Sequence, residues 1–184
     1  MSKVTTTRYV ALLRGINVGG RAKVPMQTLR ELLTALGGTD VRTHLQSGNA
    51  VFAHAERDPR RLEDALRQAL ADELGLDITC MVRTAADLAR VVAANPFDMT
   101  GVDGSRFLVV FLAGPVPQDR IAALDLPAYA PDELRAGERE IYAHLPNSIR
   151  DSKLAARLTD RGLGVAATAR NWNTVTKLLE LSGA

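Results

Sequence analysis

Between residues 13 and 23 the sequence runs Leu-Arg-Gly-Ile-Asn-Val-Gly-Gly-Arg-Ala-Lys. Gly15, Gly19 and Gly20 permit positive φ and allow a ligand to come close to the backbone. Arg14, Arg21 and Lys23 add positive charge, and Asn17 adds an amide. Such a loop can cradle a phosphate or a carboxylate. It has neither the GxxxxGK[ST] of a P-loop nor the GxGxxG of a dinucleotide fold. The plainer alternative is a surface loop whose glycines serve only its turns.

Two further segments have suitable chemistry. Gln46-Ser47-Gly48-Asn49 has polar side chains around a glycine, which is also ordinary turn composition. Thr168-Ala169-Arg170-Asn171-Trp172-Asn173-Thr174 sits at the expected start of the last helix. Asn171 or Asn173 can cap that helix, and Arg170 adds charge where free N–H groups and the dipole favour an anion. Trp172, the one tryptophan, can stack on a base or sugar, but reads first as a residue that pins the helix to the core. Lys153, after Ser152, falls in the first turn of another expected helix, a position suited to anion contact and equally to a plain surface lysine. His44, His54 and His144 show no ligand spacing, so no metal is expected. No Ser-His-Asp arrangement or carboxylate pair can be assigned, so catalytic residues are unknown.

The elements around these segments follow from periodicity. Residues 8–14 form a short apolar run that reads as a buried strand. Pro25 opens a helix whose apolar face is Met26, Leu29, Leu32, Leu33 and Leu36, stopped by Gly37 and Gly38. Val41, Thr43 and Leu45 alternate with polar residues as a half-buried strand, and residues 47–48 turn into a strand from Asn49 to Ala53. Asp58 caps a helix with Pro59 at its first position, and residues 78–83 give a fourth strand. This β-α-β-β-α-β order is the ferredoxin-like plan. In that plan the first and third strands are adjacent and antiparallel, so Arg14 and Asn49 should share one sheet edge. Thr84 and Asp87 make a capping box for the next helix. The second half reads β-α-β-β-α-α: a strand at 106–113, a helix ending near Leu124, a hairpin around Gly137, and helices at 152–161 and 173–181. The expected fold is α+β, with two packed subdomains at 1–95 and 106–184 joined by a Gly/Pro/Asp-rich linker at 96–105.

The 184 residues suffice for one ordinary domain or two small ones. With 46% apolar and 24% charged residues the chain has the composition of a folded globule. Its net charge of +2 argues against a protein that coats duplex nucleic acid. That near-neutral total conceals acid-free stretches. Lys3, Arg8, Arg14, Arg21, Lys23 and Arg30 precede the first acid, Glu31, and Arg161, Arg170 and Lys177 lie on another acid-free stretch. One cysteine, Cys80, leaves no internal disulfide and no CxxC pair. The N-terminus is polar, and no apolar run approaches the roughly 18 residues of a membrane span. A cytoplasmic protein without membrane partners is expected.

Taken together, LRGINVGG with its basic stretch, QSGN before a strand, and TARNWNTV near the end resemble the bacterial domain of unknown function 1697 family, from Tyr9 to Leu181. The resemblance implies two α+β subdomains, the first ferredoxin-like. It also matches Ser152-Lys153-Leu154 to a step that family members often carry. It implies no activity and no cofactor. The residues themselves point to binding of an anionic small molecule or nucleic acid. The expected cleft comprises Arg14, Asn17, Gly19, Gly20, Lys23, Gln46, Ser47, Asn49, Lys153, Arg170, Asn171, Trp172 and Asn173. A small enzyme acting on an anionic substrate there, or an interaction module without a ligand, are the alternatives.

Overall fold

The computed structural model describes residues 5–20 and 22–183; Lys3 and Arg21 lie outside them. The first apolar run forms strand β1 (Thr7–Leu13). Its Tyr9, Ala11 and Leu13 share a core with Leu29 and Leu33 of α1 (Met26–Ala35) and Leu62, Leu66 and Leu70 of α2 (Pro59–Leu74). The 4-residue spacing of those leucines gives each helix one apolar face. Asp58 caps α2 by accepting from Arg60 N–H, and Gly75, at φ 66°, ends it. Strands β2 (Thr39–His44), β3 (Asn49–His54) and β4 (Cys80–Thr84) complete an antiparallel sheet of order β2-β3-β1-β4. That is the ferredoxin-like order. It places Leu12 opposite Asn49, so the loop after β1 and the turn before β3 leave the same edge.

Helix α3 (Ala85–Ala93) opens with the expected capping box. Asp87 N–H donates to Thr84 Oγ1 at 2.9 Å, and Thr84 N–H donates to Asp87 Oδ2 at 3.2 Å.

The second half repeats the order. Strands β5 (Phe107–Leu112), β6 (Glu133–Ala136), β7 (Glu140–His144) and β8 (Ala167–Asn171) form a sheet of order β6-β7-β5-β8. Helices α4 (Gln118–Ala122) and α5 (Asp160–Leu163) are short, and α6 (Trp172–Ser182) closes the chain. The β-α-β-β-α-α order expected for this half is corrected by β8, which precedes the last helix. Ala-Thr-Ala-Arg-Asn has little strand character by itself. Pairing with β5, from Leu108 opposite Asn171 to Leu112 opposite Ala167, makes it a strand. The single helix expected at 152–161 is a 3-10 turn, Ala155–Arg157, followed by α5. Thr159 breaks the run by capping α5, with its Oγ1 accepting from Gly162 N–H.

By internal contacts the chain divides into Met1–Ala89 with Lys177–Ala184, and Arg90–Thr176. The expected linker 96–105 falls inside the second of these units, where Asp103 caps a 3-10 turn, Gly104–Arg106, that leads into β5. Two interactions account for its earlier start. Tyr142 Oη donates to the Val91 carbonyl at 2.7 Å, and Arg90 pairs at 3.3 Å with Glu140, which is 2% exposed.

Candidate functional site

The loop after β1 is built around Asn17. Its Nδ2 donates to the Val24 carbonyl at 2.9 Å and to the Gln46 carbonyl at 2.7 Å. Its Oδ1 accepts from Val24 N–H at 2.9 Å, and its backbone N–H donates to the Ala22 carbonyl at 3.1 Å. One side chain thus closes the loop on itself and ties it to the hairpin turn, with both of its amide protons engaged. Asn17 therefore positions the loop and has no donor left for a ligand. The backbone around it is in the left-handed region at Gly15, Asn17, Gly19, Gly20 and Ala22. For Ala22, at φ 46°, this is a strained conformation of the sort that collects at functional sites.

The turn meets the loop tightly. Gly48 is buried, at φ 81°, with Leu13 N–H donating to its carbonyl at 2.8 Å. A Cβ at Gly48 would lie 2.6 Å from Ile16 Cδ1 and 2.7 Å from Leu13 Cβ, so only glycine fits. Asn49 is fully buried and donates to the His44 carbonyl at 2.8 Å and to Ser47 Oγ at 3.0 Å. It holds the turn rather than facing a ligand. Arg14, Gly19, Gly20, Lys23, Gln46 and Ser47 are exposed along this edge.

Two residues of the edge were not singled out by the sequence. Val18, 68% exposed, and Leu45, 56% exposed, are the exposed large hydrophobics among the described residues. Asn17 and Gln46, which bond to each other, are their chain neighbours. Leu45 was expected on the buried face of β2. The strand instead ends at His44, and Leu45 turns outward at φ 59°. The alternation of residues 41–46 hides the early turn, because nothing in it marks where the period stops.

The third segment has local roles in the second unit. Arg170 lies on β8, 8% exposed, and donates through Nη1 to Thr168 Oγ1 at 2.9 Å and to the Ala169 carbonyl at 2.8 Å. Burial lowers its pKa to about 10. Asn171 caps α6, its Oδ1 accepting from Thr174 N–H at 2.9 Å. Trp172 is half-buried and packs edge-on against Phe107, ring centroids 5.6 Å apart, consistent with its reading as a pin. The Asn173 side chain occupies the space a Cβ at Gly104 would need. Lys153 is exposed and lines a cavity formed wholly by second-unit residues.

Other chemistry is sparse. Cys80 is buried, and desolvation pushes its thiol up to about 12, so it is no nucleophile. Among the described residues no three His, Cys, Asp or Glu side chains gather as metal ligands, and no helix is long and apolar enough to cross a membrane.

With both sheets and their loops defined, the family and the fold can each be matched to known proteins. The chain matches the family described as protein of unknown function (DUF1697) over residues 6–142, and it belongs to that family. No curated protein matches it. Among solved structures it is similar to a conserved bacterial protein from Streptococcus pneumoniae, at 23% identity and a TM-score of 0.76. The match covers 97% of this chain and 99% of that one, and shows the fold.

Proposed function

We propose that this protein binds a phosphate-bearing ligand, a nucleotide or a short single-stranded nucleic acid, on the loop 14–23 and the turn 46–49. The observation that carries the reading is the Asn17 clasp, which holds a strained, glycine-rich, basic loop in one shape at the sheet edge. No acid precedes Glu31, and none occurs from 41 to 55, so the loop carries basic side chains and neither it nor the turn carries an acidic one. Arg14 and Lys23 supply charge for phosphate, and the exposed Gly19 and Gly20 leave backbone N–H groups approachable. Val18 and Leu45 offer apolar surface to a base or sugar. The sheet aromatics that RNA-binding domains of this topology use are not accessible here: Tyr9 and Phe52 are 0% and 1% exposed. Base contacts therefore fall to the loops. A bacterial cytoplasmic setting fits a chain whose single thiol is free and buried.

The test is binding of a fluorescent oligothymidylate and of a mononucleotide across a salt series. Affinity should fall steeply with salt, and Arg14→Ala or Lys23→Ala should each lower the logarithmic slope by about one. Absence of any salt-sensitive binding would overturn the reading.

A further inference from the structure

A cavity of about 380 Å³ lies in the second unit, between residues 128–132 and 147–153. Its size is that of a site for a small molecule, at the lower end of the usual range. Asp132, Asp151 and Lys153 all line it. Opposite charges around one cavity ordinarily pair with one another. Here Lys153 makes no ion pair and no hydrogen bond among the described residues, and neither carboxylate meets a cation.

Hydroxyl groups hold the carboxylates instead. Ser152 Oγ donates to Asp132 Oδ2 at 2.6 Å and itself accepts from Ala155 N–H at 2.9 Å. Ser148 Oγ donates to Asp151 Oδ2 at 2.9 Å and accepts from Asp151 N–H at 3.2 Å. Each aspartate is thus oriented through one oxygen by a neutral donor, which leaves its charge uncompensated.

We propose that this cavity binds a small zwitterion, a molecule carrying both an ammonium and a carboxylate, such as a free α-amino acid. The ammonium would lie against Asp132 and Asp151, and the carboxylate against Lys153. A simple anion is opposed by two aspartates, and a simple cation leaves Lys153 without a counter-charge. A ligand bearing both charges satisfies all three. The half-buried Tyr129, beside Pro131, offers an apolar wall for the rest of the molecule. The proposal is independent of the loop reading, because every lining residue belongs to the second unit.

The experiment is an NMR titration of the whole protein with glycine, L-alanine and L-phenylalanine, alongside acetate, methylammonium and glucose. The zwitterions should give saturable shifts at 128–132 and 147–153. The singly charged and neutral probes should bind about ten-fold or more weakly. Lys153→Met, at an exposed position, should weaken zwitterion binding about ten-fold with the melting curve unchanged, and Asp151→Asn should do the same. No saturable shift with any zwitterion, equal binding of acetate, methylammonium or glucose, or unchanged affinity in Lys153→Met would each overturn it.

Discussion

The two units carry one plan in two dialects. Both have the same strand order, with the first strand between the third and the fourth. In both, the residue after a buried arginine on the fourth strand caps the next helix: Thr84 follows Arg83, and Asn171 follows Arg170. Each arginine sits opposite the same kind of position, a valine of the first strand, and donates to the carbonyl of the residue before it. They differ where the chain leaves the sheet. After β1 the first unit has the clasped glycine loop, whereas after β5 the second passes through Ala113–Pro117 into a five-residue helix. The lesson is that this sheet tolerates wholly different connections, so chemistry can change at one edge while the strand order is kept.

The sharpest way to break that contrast is at the hairpin glycines. Gly48→Ala combines a positive φ with a Cβ pressed on Leu13 and Ile16, and should cost about 3 kcal/mol in urea denaturation. Gly137→Ala, in the second hairpin, meets the side chain of Glu140 and should cost about 1 kcal/mol. Equal losses would mean that the first turn is no more constrained than the second.

Asn17→Ala should come next, with a loss of about 2 kcal/mol from three hydrogen bonds, two of them along the loop's own closure. It should also abolish salt-sensitive binding, since Arg14 and Lys23 would no longer be held in register. Retained binding in that variant would separate the clasp from the ligand site.

The capping residues test the shared part of the plan. Thr84→Ala and Asn171→Ala should each cost about 1 kcal/mol, by similar amounts, and leave oligonucleotide and nucleotide affinity unchanged. The smallest effect concerns Cys80, in the first unit. Its thiol should react with Ellman's reagent at pH 8 far more slowly in the native protein than in urea. Because its folded pKa lies above the ordinary value of 9.0, its contribution is complete below that pH and is lost as pH rises toward about 12. Rapid native labelling would contradict the burial.

Most of the first unit could be read from the sequence because its helices mark their ends: Gly37 and Gly38 stop α1, Asp58-Pro59 opens α2, and Thr84 with Asp87 opens α3. The shared edge of Arg14 and Asn49 followed from topology alone. The second unit was less legible. Strand β8 owes its conformation to pairing with β5, a contact between residues about sixty apart in sequence, and not to its own composition. Within the candidate site, spacing located the loop and the turn but could not separate roles. Asn17 and Asn49 look like ligand contacts in sequence, yet their amides are engaged in holding backbone. Val18 and Leu45 look like ordinary core residues, yet the positive φ at Leu45 turns it outward.

The pairing of Arg90 with Glu140, and of Tyr142 with the Val91 carbonyl, bears on how this chain can be dissected. A cut through 96–105 looks natural in the sequence. A fragment beginning at residue 106 would nonetheless retain a buried carboxylate and a buried phenol while discarding the groups that satisfy both. The same fragment would end with Lys177–Ala184, residues that belong to the other unit. Recombinant halves divided there should be poorly soluble.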